Sequence, residues 1–437
     1  MWIKRLQLAL IHVAVAMTLV PINSTLNRVM IKEMALSATL VSILAALPYL
    51  FSPIQVMIGS YADRHPIFGW RRTPYILLGL LLTVVGLAIA PAVVFIMPEN
   101  FWFGLFLSML VFGAWGLGYN FASVSYLSLA SEISGEKERS KTIAVMFFFM
   151  ISGIIATSIG LSHLLETYSP QILKEAFLIV ALIALVLGLI GLIGLEKRRK
   201  DPERTLSSED RTPWSDLIRG VMGSSQARSF FIYLTVLLAA ILGQDVLLEP
   251  FGAEAFGLSV QATTRITSIW GTCVLLALVL GNVVERWMTK KQVAQFSAWL
   301  AILGFAFITI SGFVVNQSIF YTGIIFLGLG TGGSSVSNLS LMLDMTTERV
   351  GLFMGAWGVA NALSRFLGTL MGGMLRDVAT QVLQNAVFGY LVVFILEIIL
   401  LLVSLFLLKN ININKFKKQV GDLTLSEKAA LINESVA

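Results

Sequence analysis

Six ionisable residues stand where an apolar setting makes them costly. Arg28 and Glu33 lie near one end of the first long apolar run and Asp245 and Glu249 near the same end of the seventh, while Arg365 and Glu397 sit deeper in the eleventh and twelfth. An ionisable group at mid-membrane costs at least about 2.5 kcal/mol on insertion scales, so such groups face a cavity or a partner. Their chemistry is ion pairing and ligand contact. The pattern predicts that Asn27, Arg28, Glu33, Asp245, Glu249 and Arg365 line a cavity or its gate, with Arg28 bridging to Asp245 or Glu249. The plainer alternative makes each of them an interfacial residue in contact with water and headgroups. Arg365, beside Asn361 and Ser364, can reach a carbonyl or a carboxylate, or serve as half of a buried pair. Glu397 has isoleucines and leucines around it in sequence, and its facing is not readable.

Bond-making chemistry finds no such support. His12, His65 and His163 are far apart on different segments, and no Ser/His/Asp or paired-carboxylate arrangement falls in an aqueous cleft, so no catalytic residues and no metal site are predicted. Cys273 is the only cysteine, which removes intrachain disulfides and thiolate clusters. Gly328-x-Gly330-x-x-Gly333 matches a dinucleotide fingerprint, but that fingerprint needs a preceding strand. Here it sits within an apolar run, where close helix packing by small residues is the better reading and no nucleotide is expected.

The elements that must position these residues are membrane helices. The 437 residues are 57% hydrophobic and 13% charged, with a mean hydropathy of +0.83. Soluble domains carry about 25% charged residues. Twelve runs approach the length a span needs, near residues 6–30, 37–61, 74–97, 101–127, 141–164, 173–195, 229–249, 262–284, 292–314, 318–343, 350–373 and 384–408. The first continues past Pro21 with no small-x-small cleavage site and reads as an uncleaved helix. Basic residues fall mainly between runs on one side, with Arg28, Lys32, Lys174, Arg265 and Arg376 on the other, which predicts that both termini are cytoplasmic. The net charge of +6 is then topology and anionic-lipid contact, and nucleic acid is not a predicted partner.

A phrase occurs twice, Gly59-Ser-Tyr-Ala-Asp63-Arg64 after run two and Gly281-Asn-Val-Val-Glu285-Arg286 after run eight. Ser128-Leu-Ala-Ser-Glu132 and Ser340-Leu-Met-Leu-Asp344 close runs four and ten in the same way. The organisation predicted is a six-helix bundle at 1–195, a basic cytoplasmic linker at 196–228, a second bundle at 229–408 and a cytoplasmic tail at 409–437. The fold class is an all-α integral membrane protein with twelve transmembrane helices in two six-helix pseudo-repeats, the major facilitator superfamily fold. The repeated phrase resembles that superfamily's loop motif. It nominates Gly59, Asp63, Arg64, Arg71, Arg72, Gly281, Glu285 and Arg286 as a conformational latch, against the simpler reading of a positive-inside turn.

Further residues narrow the resemblance. Only the first copy of the phrase continues into Gly69-Trp-Arg-Arg-Thr-Pro-Tyr75. Thr25-Leu-Asn-Arg-Val-Met-Ile31 with Glu33, Leu248-Glu-Pro-Phe-Gly252, Gly355-Ala-Trp-Gly358 and Gly372-Gly-Met-Leu-Arg-Asp377 accompany it. Together they resemble the PucC/LhaA family, the bacteriochlorophyll-delivery branch of the superfamily. The resemblance implies a non-enzymatic protein of a photosynthetic membrane, thylakoid or bacterial inner membrane. It implies that the protein handles chlorophyll or bacteriochlorophyll and assists assembly of light-harvesting or photosystem complexes. Implied partners are the pigment, antenna or photosystem subunits, pigment-synthesis enzymes and membrane lipids. For a chlorin, His12 and His163 are the membrane-embedded imidazoles, and Trp115, Trp270 and Trp357 can flank a ring; packing and hydrogen bonding are their plainer roles. Magnesium also accepts oxygen donors or water. Two other readings remain, a secondary transporter of a small, anionic, pterin-like solute and a transport-inactive assembly scaffold.

Overall fold

The computed structural model describes residues 1–52, 54, 61–62, 65–198, 225–284, 287–344 and 350–411. Among the described residues no strand forms; the one isolated bridge, Ile67 to Trp70, closes a loop. Ten helices among the described residues are long and apolar enough to cross a membrane. The chain is an integral membrane protein.

The first span begins with α1 (Trp2–Ala16) and continues through two π-helical turns, Pro21–Leu26 and Val29–Glu33. Next comes α2 (Ala38–Leu50), the described part of the second run, capped where Ser37 Oγ accepts the Leu40 N–H at 3.2 Å. The carbonyl of its internal Pro48, in the last turn of the helix, accepts a hydrogen bond at 2.9 Å from buried Asn120. Helix α3 spans Thr73–Val94. The helical stretch Phe101–Leu164 breaks at Gly135, whose φ of 65° and ψ of 173° suit glycine, and so divides into α4 (Phe101–Gly135) and α5 (Lys141–Leu164). Helix α6 is Pro170–Leu192, with Ser169 as cap and proline in the first turn.

The second half opens with α7 (Ser225–Leu242), which passes through a 3-10 turn, Gly243–Val246, into a short helix, Leu248–Phe256. Then follow α8 (Val260–Val284), α9 (Lys290–Val314), α10 (Gln317–Asp344), α11 (Val350–Leu383) and α12 (Ala386–Lys409). Helix α11 runs ten residues beyond the apolar run seen in sequence, because Arg376 and Asp377 end the apolar pattern without ending the helix. Residues 199–224 of the linker and 412–437 of the tail lie outside the described residues.

Glycines show the pseudo-repeat in the packing. A methyl on Gly118 of α4 would lie 2.6 Å from the Thr83 nitrogen of α3, and one on Gly330 of α10 2.6 Å from the Ala301 nitrogen of α9. Helices three and four thus approach backbone to backbone, as do nine and ten. Gly328 lies against α8, where its methyl would be 2.8 Å from the Trp270 carbonyl. The apparent dinucleotide motif is therefore a three-helix contact. The halves meet along α2 with α11 and α5 with α8, a symmetric pair of seams under the same repeat.

Candidate functional site

Three layers of polar side chains cross the bundle. The first is at the end carrying Lys4, Arg71, Arg72, Lys290 and Lys409, here the basic end. Glu196 accepts the N–H groups of Arg71 at 2.8 Å and Thr73 at 2.7 Å together with the Thr73 hydroxyl at 2.7 Å, and so caps α3. Arg72 Nε pairs with Glu132 Oε1 at 3.2 Å. Arg71, Arg72, Thr73 and Glu132 belong to the first half, and Glu196 is the first residue of the linker. Gly281 is buried, and a methyl there would meet Val336 at 3.3 Å. Gly59, Asp63, Arg64, Glu285 and Arg286 of the nominated latch lie outside the described residues.

The second layer is at the opposite end and joins the halves. Arg28 pairs with Glu33 of its own span and donates at 3.1 Å to the Leu258 carbonyl of the other half. It forms no ion pair with Asp245 or Glu249, the partners expected from sequence. The π turns explain the difference, since they turn Arg28 towards Glu33, five residues on, rather than towards the seventh span. Lys32 meets Glu254 at 2.7 Å. Across the other seam, Asp377 of α11 caps α2, accepting the Ala38 N–H at 3.1 Å and the Thr39 N–H and hydroxyl at 2.7 Å each. Gly373 permits this approach, because a methyl there would sit 2.6 Å from the Ala38 carbonyl oxygen.

The third layer is in the interior. Asp245, in the 3-10 turn, pairs with Arg365 of α11 at 3.1 Å, and Arg365 reaches the Tyr49 hydroxyl of α2 at 3.5 Å. The guanidinium also lies 5.6 Å over the Tyr49 ring. Glu249 accepts from Ser24 of the first half and from Thr267 at 2.7 Å. Thr25 and Thr264 meet at 3.1 Å beside it. Asn27 is buried and donates to the Asn23 carbonyl at 2.8 Å. Several buried atoms here have no partner: the side-chain oxygens of Asn23, Asn27 and Gln244, Glu249 Oε2, and both oxygens of Glu397. Such atoms are costly unless something supplies the missing donors.

The five aromatic and imidazole residues nominated as ring contacts separate. Trp115 is fully buried, donates to Thr18 Oγ1 at 3.2 Å and packs against Gly86, so it is core. His163 is exposed at the end of α5. His12 is enclosed, 5.0 Å from the Tyr126 ring and 5.1 Å from that of Phe147, and its Nδ1 has no partner. Trp270 of α8 and Trp357 of α11 are half-buried, and each has a buried indole N–H without an acceptor. Ile159 of α5, Ser268, Ile269, Thr272 and Cys273 of α8 and Ile325 of α10 line an open recess of about 300 Å3, at the small end of ligand sites, and neither tryptophan is among its lining residues.

Tyr49, Ser24 and Thr267 carry no signal in the sequence, and Asp377 enters there only as the end of the Gly372–Asp377 motif, not as a site residue. A hydroxyl in an apolar helix bonds its own backbone by default, so nothing local marks the ones that cross to another span. For Asp377 a signal exists: it ends a Gly-Gly-containing stretch, as close helix approach requires.

The profile of the family described as PUCC protein matches residues 25–416. A Protein PucC of Rhodovulum sulfidophilum is 31% identical over 88% of this chain and 87% of its own length. The "Bacteriochlorophyll synthase 44.5 kDa chain" of Rhodobacter capsulatus is 27% identical over 88% of this chain and 90% of its own. Among solved structures, an inward-facing bacterial homologue of the human lysosomal transporter Spinster superposes with a TM-score of 0.73 at 12% identity, covering 95% of this chain and 97% of its own. The nucleoside transporter NupG gives 0.69 at 15% identity, covering 93% and 98%. These likenesses establish the major facilitator fold. The chain belongs to the PucC protein family.

Proposed function

We propose that this protein binds a chlorophyll-type pigment within the membrane and hands it on during assembly of light-harvesting or photosystem complexes. The observation that carries this reading is the pair of unused indole donors, Trp270 and Trp357, on α8 and α11. These are the helices of the second half that pack directly on the first. A chlorin carries ring carbonyls that accept such hydrogen bonds, a magnesium that takes oxygen or nitrogen ligands, and a long apolar tail. The residues fit those needs: indole donors for carbonyls, the unpartnered Asn27 and Gln244 oxygens or His12 for an axial position, and an apolar recess between α5, α8 and α10 for an aliphatic chain. The pigment would supply light absorption; the protein orients it and keeps it from water. No bond-making role is assigned to the chain, although one relative is named as a synthase chain. Both termini are cytoplasmic in this reading, the basic residues lying on that side of a photosynthetic membrane. Partners are antenna or photosystem subunits and the enzymes that make the pigment.

Detergent-purified protein from a pigment-making host should show a chlorin absorption band. A neutral hydrogen bond contributes about 1 kcal/mol, so Trp270→Phe with Trp357→Phe should weaken pigment retention roughly 30-fold while preserving packing. A second reading, ion-coupled transport of an anionic solute, is favoured by the Arg365–Asp245 pair in contact with Tyr49 of the other half. Absence of the band together with solute uptake in proteoliposomes would replace the first reading by the second.

A further inference from the structure

Glu249 lies in the first turn of the short helix Leu248–Phe256, is 4% exposed, and puts its two carboxylate oxygens to different uses. Oε1 accepts from the Ser24 hydroxyl of the first half and, at 2.7 Å, from the Thr267 hydroxyl of α8. Oε2 is buried and has no hydrogen-bond partner. The two hydroxyl oxygens that serve Oε1 stand 3.3 Å from each other. Beside them Thr25 and Thr264, both buried, meet at 3.1 Å. Successive residues of an α-helix point about 100° apart. Ser24 and Thr25 nevertheless both reach the second half, and they do so from within the π turn Pro21–Leu26.

No side-chain cation among the described residues completes this set. Arg28 is held by Glu33 and the Leu258 carbonyl, Lys32 by Glu254 and Arg365 by Asp245, while Arg265 donates to Ser162. An ionised carboxylate enclosed without a counter-charge carries a desolvation cost of several kcal/mol. A proton on Oε2 would remove the charge but create an O–H with no acceptor there, exchanging one unsatisfied atom for another. A singly charged metal ion answers both needs. Hard cations of calcium or sodium size hold oxygens at about 2.4 Å, which sets neighbouring ligands of an octahedral shell about 3.4 Å apart. The Ser24 and Thr267 oxygens have nearly that separation, and each keeps lone pairs for an ion while its hydrogen stays on Oε1. One carboxylate balances one positive charge. Among the described residues no group of three or more His, Cys, Asp or Glu side chains offers a site for a divalent or transition metal.

We propose that Glu249, Ser24 and Thr267 form a binding site for a sodium-class monovalent cation between the two halves. Glu249 Oε2 and the two hydroxyl oxygens are its protein ligands, and water completes the shell. Because Ser24 comes from the first span and Glu249 and Thr267 from the seventh and eighth, the bound ion ties the halves together inside the membrane. The inference is independent of which cargo the protein carries.

Thermal unfolding of the full chain in detergent, with sodium chloride exchanged for choline chloride at constant ionic strength, tests it together with direct binding of radioactive sodium. Sodium should raise the unfolding midpoint of the native chain in a saturable way, and choline should not. Glu249→Gln should abolish both the shift and the binding. Ser24→Ala and Thr267→Val should each weaken the apparent sodium affinity by about ten-fold or more. Glu254→Gln, which breaks the pair with Lys32 outside the site, should keep the native affinity. A native chain that binds no sodium, or a sodium response that survives in Glu249→Gln, overturns the proposal. If Glu249→Gln fails to fold, the hydroxyl variants decide, and native affinity in both of them overturns it equally.

Discussion

Removing the Asp377 carboxylate should part the two halves at the end opposite the basic residues. The group is 14% exposed and serves three donors of α2, at 3.1, 2.7 and 2.7 Å, besides Arg376 at 3.0 Å. A hydrogen bond to a charged group contributes about 1.5–3 kcal/mol, and loss of an N-cap costs about 0.5–2 kcal/mol. The three bonds do not add fully, because Ser37 still caps α2 and the freed amides reach water once the seam opens. For Asp377→Ala we work from the middle of the combined range, about 2–3 kcal/mol, or roughly 30- to 150-fold in the ratio of joined to parted halves. Asp377→Asn, which keeps an acceptor and loses the charge, should have about half that effect in kcal/mol. Pulsed electron-resonance distances between labels at Ala35 and Val382, both exposed, read the ratio directly in a Cys273→Ser background. An unchanged distance distribution in Asp377→Ala would refute the reasoning.

Gly330→Val places side-chain atoms where a methyl already comes within 2.6 Å of the Ala301 nitrogen and 2.8 Å of the Ser297 carbonyl. Overpacking of this kind costs about 1–3 kcal/mol, so the thermal unfolding midpoint in detergent should fall, whereas Gly160→Ala, with no atom within 4 Å, should leave it in place. Glu196→Gln removes a negative charge from the start of α3, where it accepts three backbone N–H groups. A loss of about 1 kcal/mol there should speed hydrogen exchange in the first turn of α3 roughly five-fold, and equal rates would count against the cap.

What could be read from the sequence was whatever repeats along it. Long apolar runs and the small residues of Gly328 to Gly333 carry a local signature, and the structure places them in membrane helices or their contacts; the acidic residues of the repeated phrase lie outside the described residues. Partner choice had none. The pseudo-symmetry of runs one and seven points Arg28 to the seventh span or to a plain interfacial role, whereas the π turns set it on Glu33 and the Leu258 carbonyl. Asp245 pairs instead with Arg365, 120 residues away, a choice made by how α11 crosses the seventh span. The facing of Glu397 was equally closed to sequence, since aliphatic neighbours look the same whether they meet lipid or protein. Hydropathy alone also missed the full length of α11, whose last ten residues are held by Asp377 and Arg376 rather than by burial in apolar surroundings.

The first and seventh spans occupy equivalent positions in the repeat, yet they deviate from the α-helix in opposite senses. Pro21–Leu26 and Val29–Glu33 widen into π turns, whereas Gly243–Val246 narrows into a 3-10 turn. A π turn accommodates more residues per revolution and a 3-10 turn fewer, so the side-chain phase of one span advances while that of the other lags. The two-fold relation that organises the rest of the bundle is therefore broken at the depth where the unpartnered oxygens gather. A molecule held there meets unlike walls on its two sides and has one preferred orientation, with a defined leading edge, instead of two interchangeable ones.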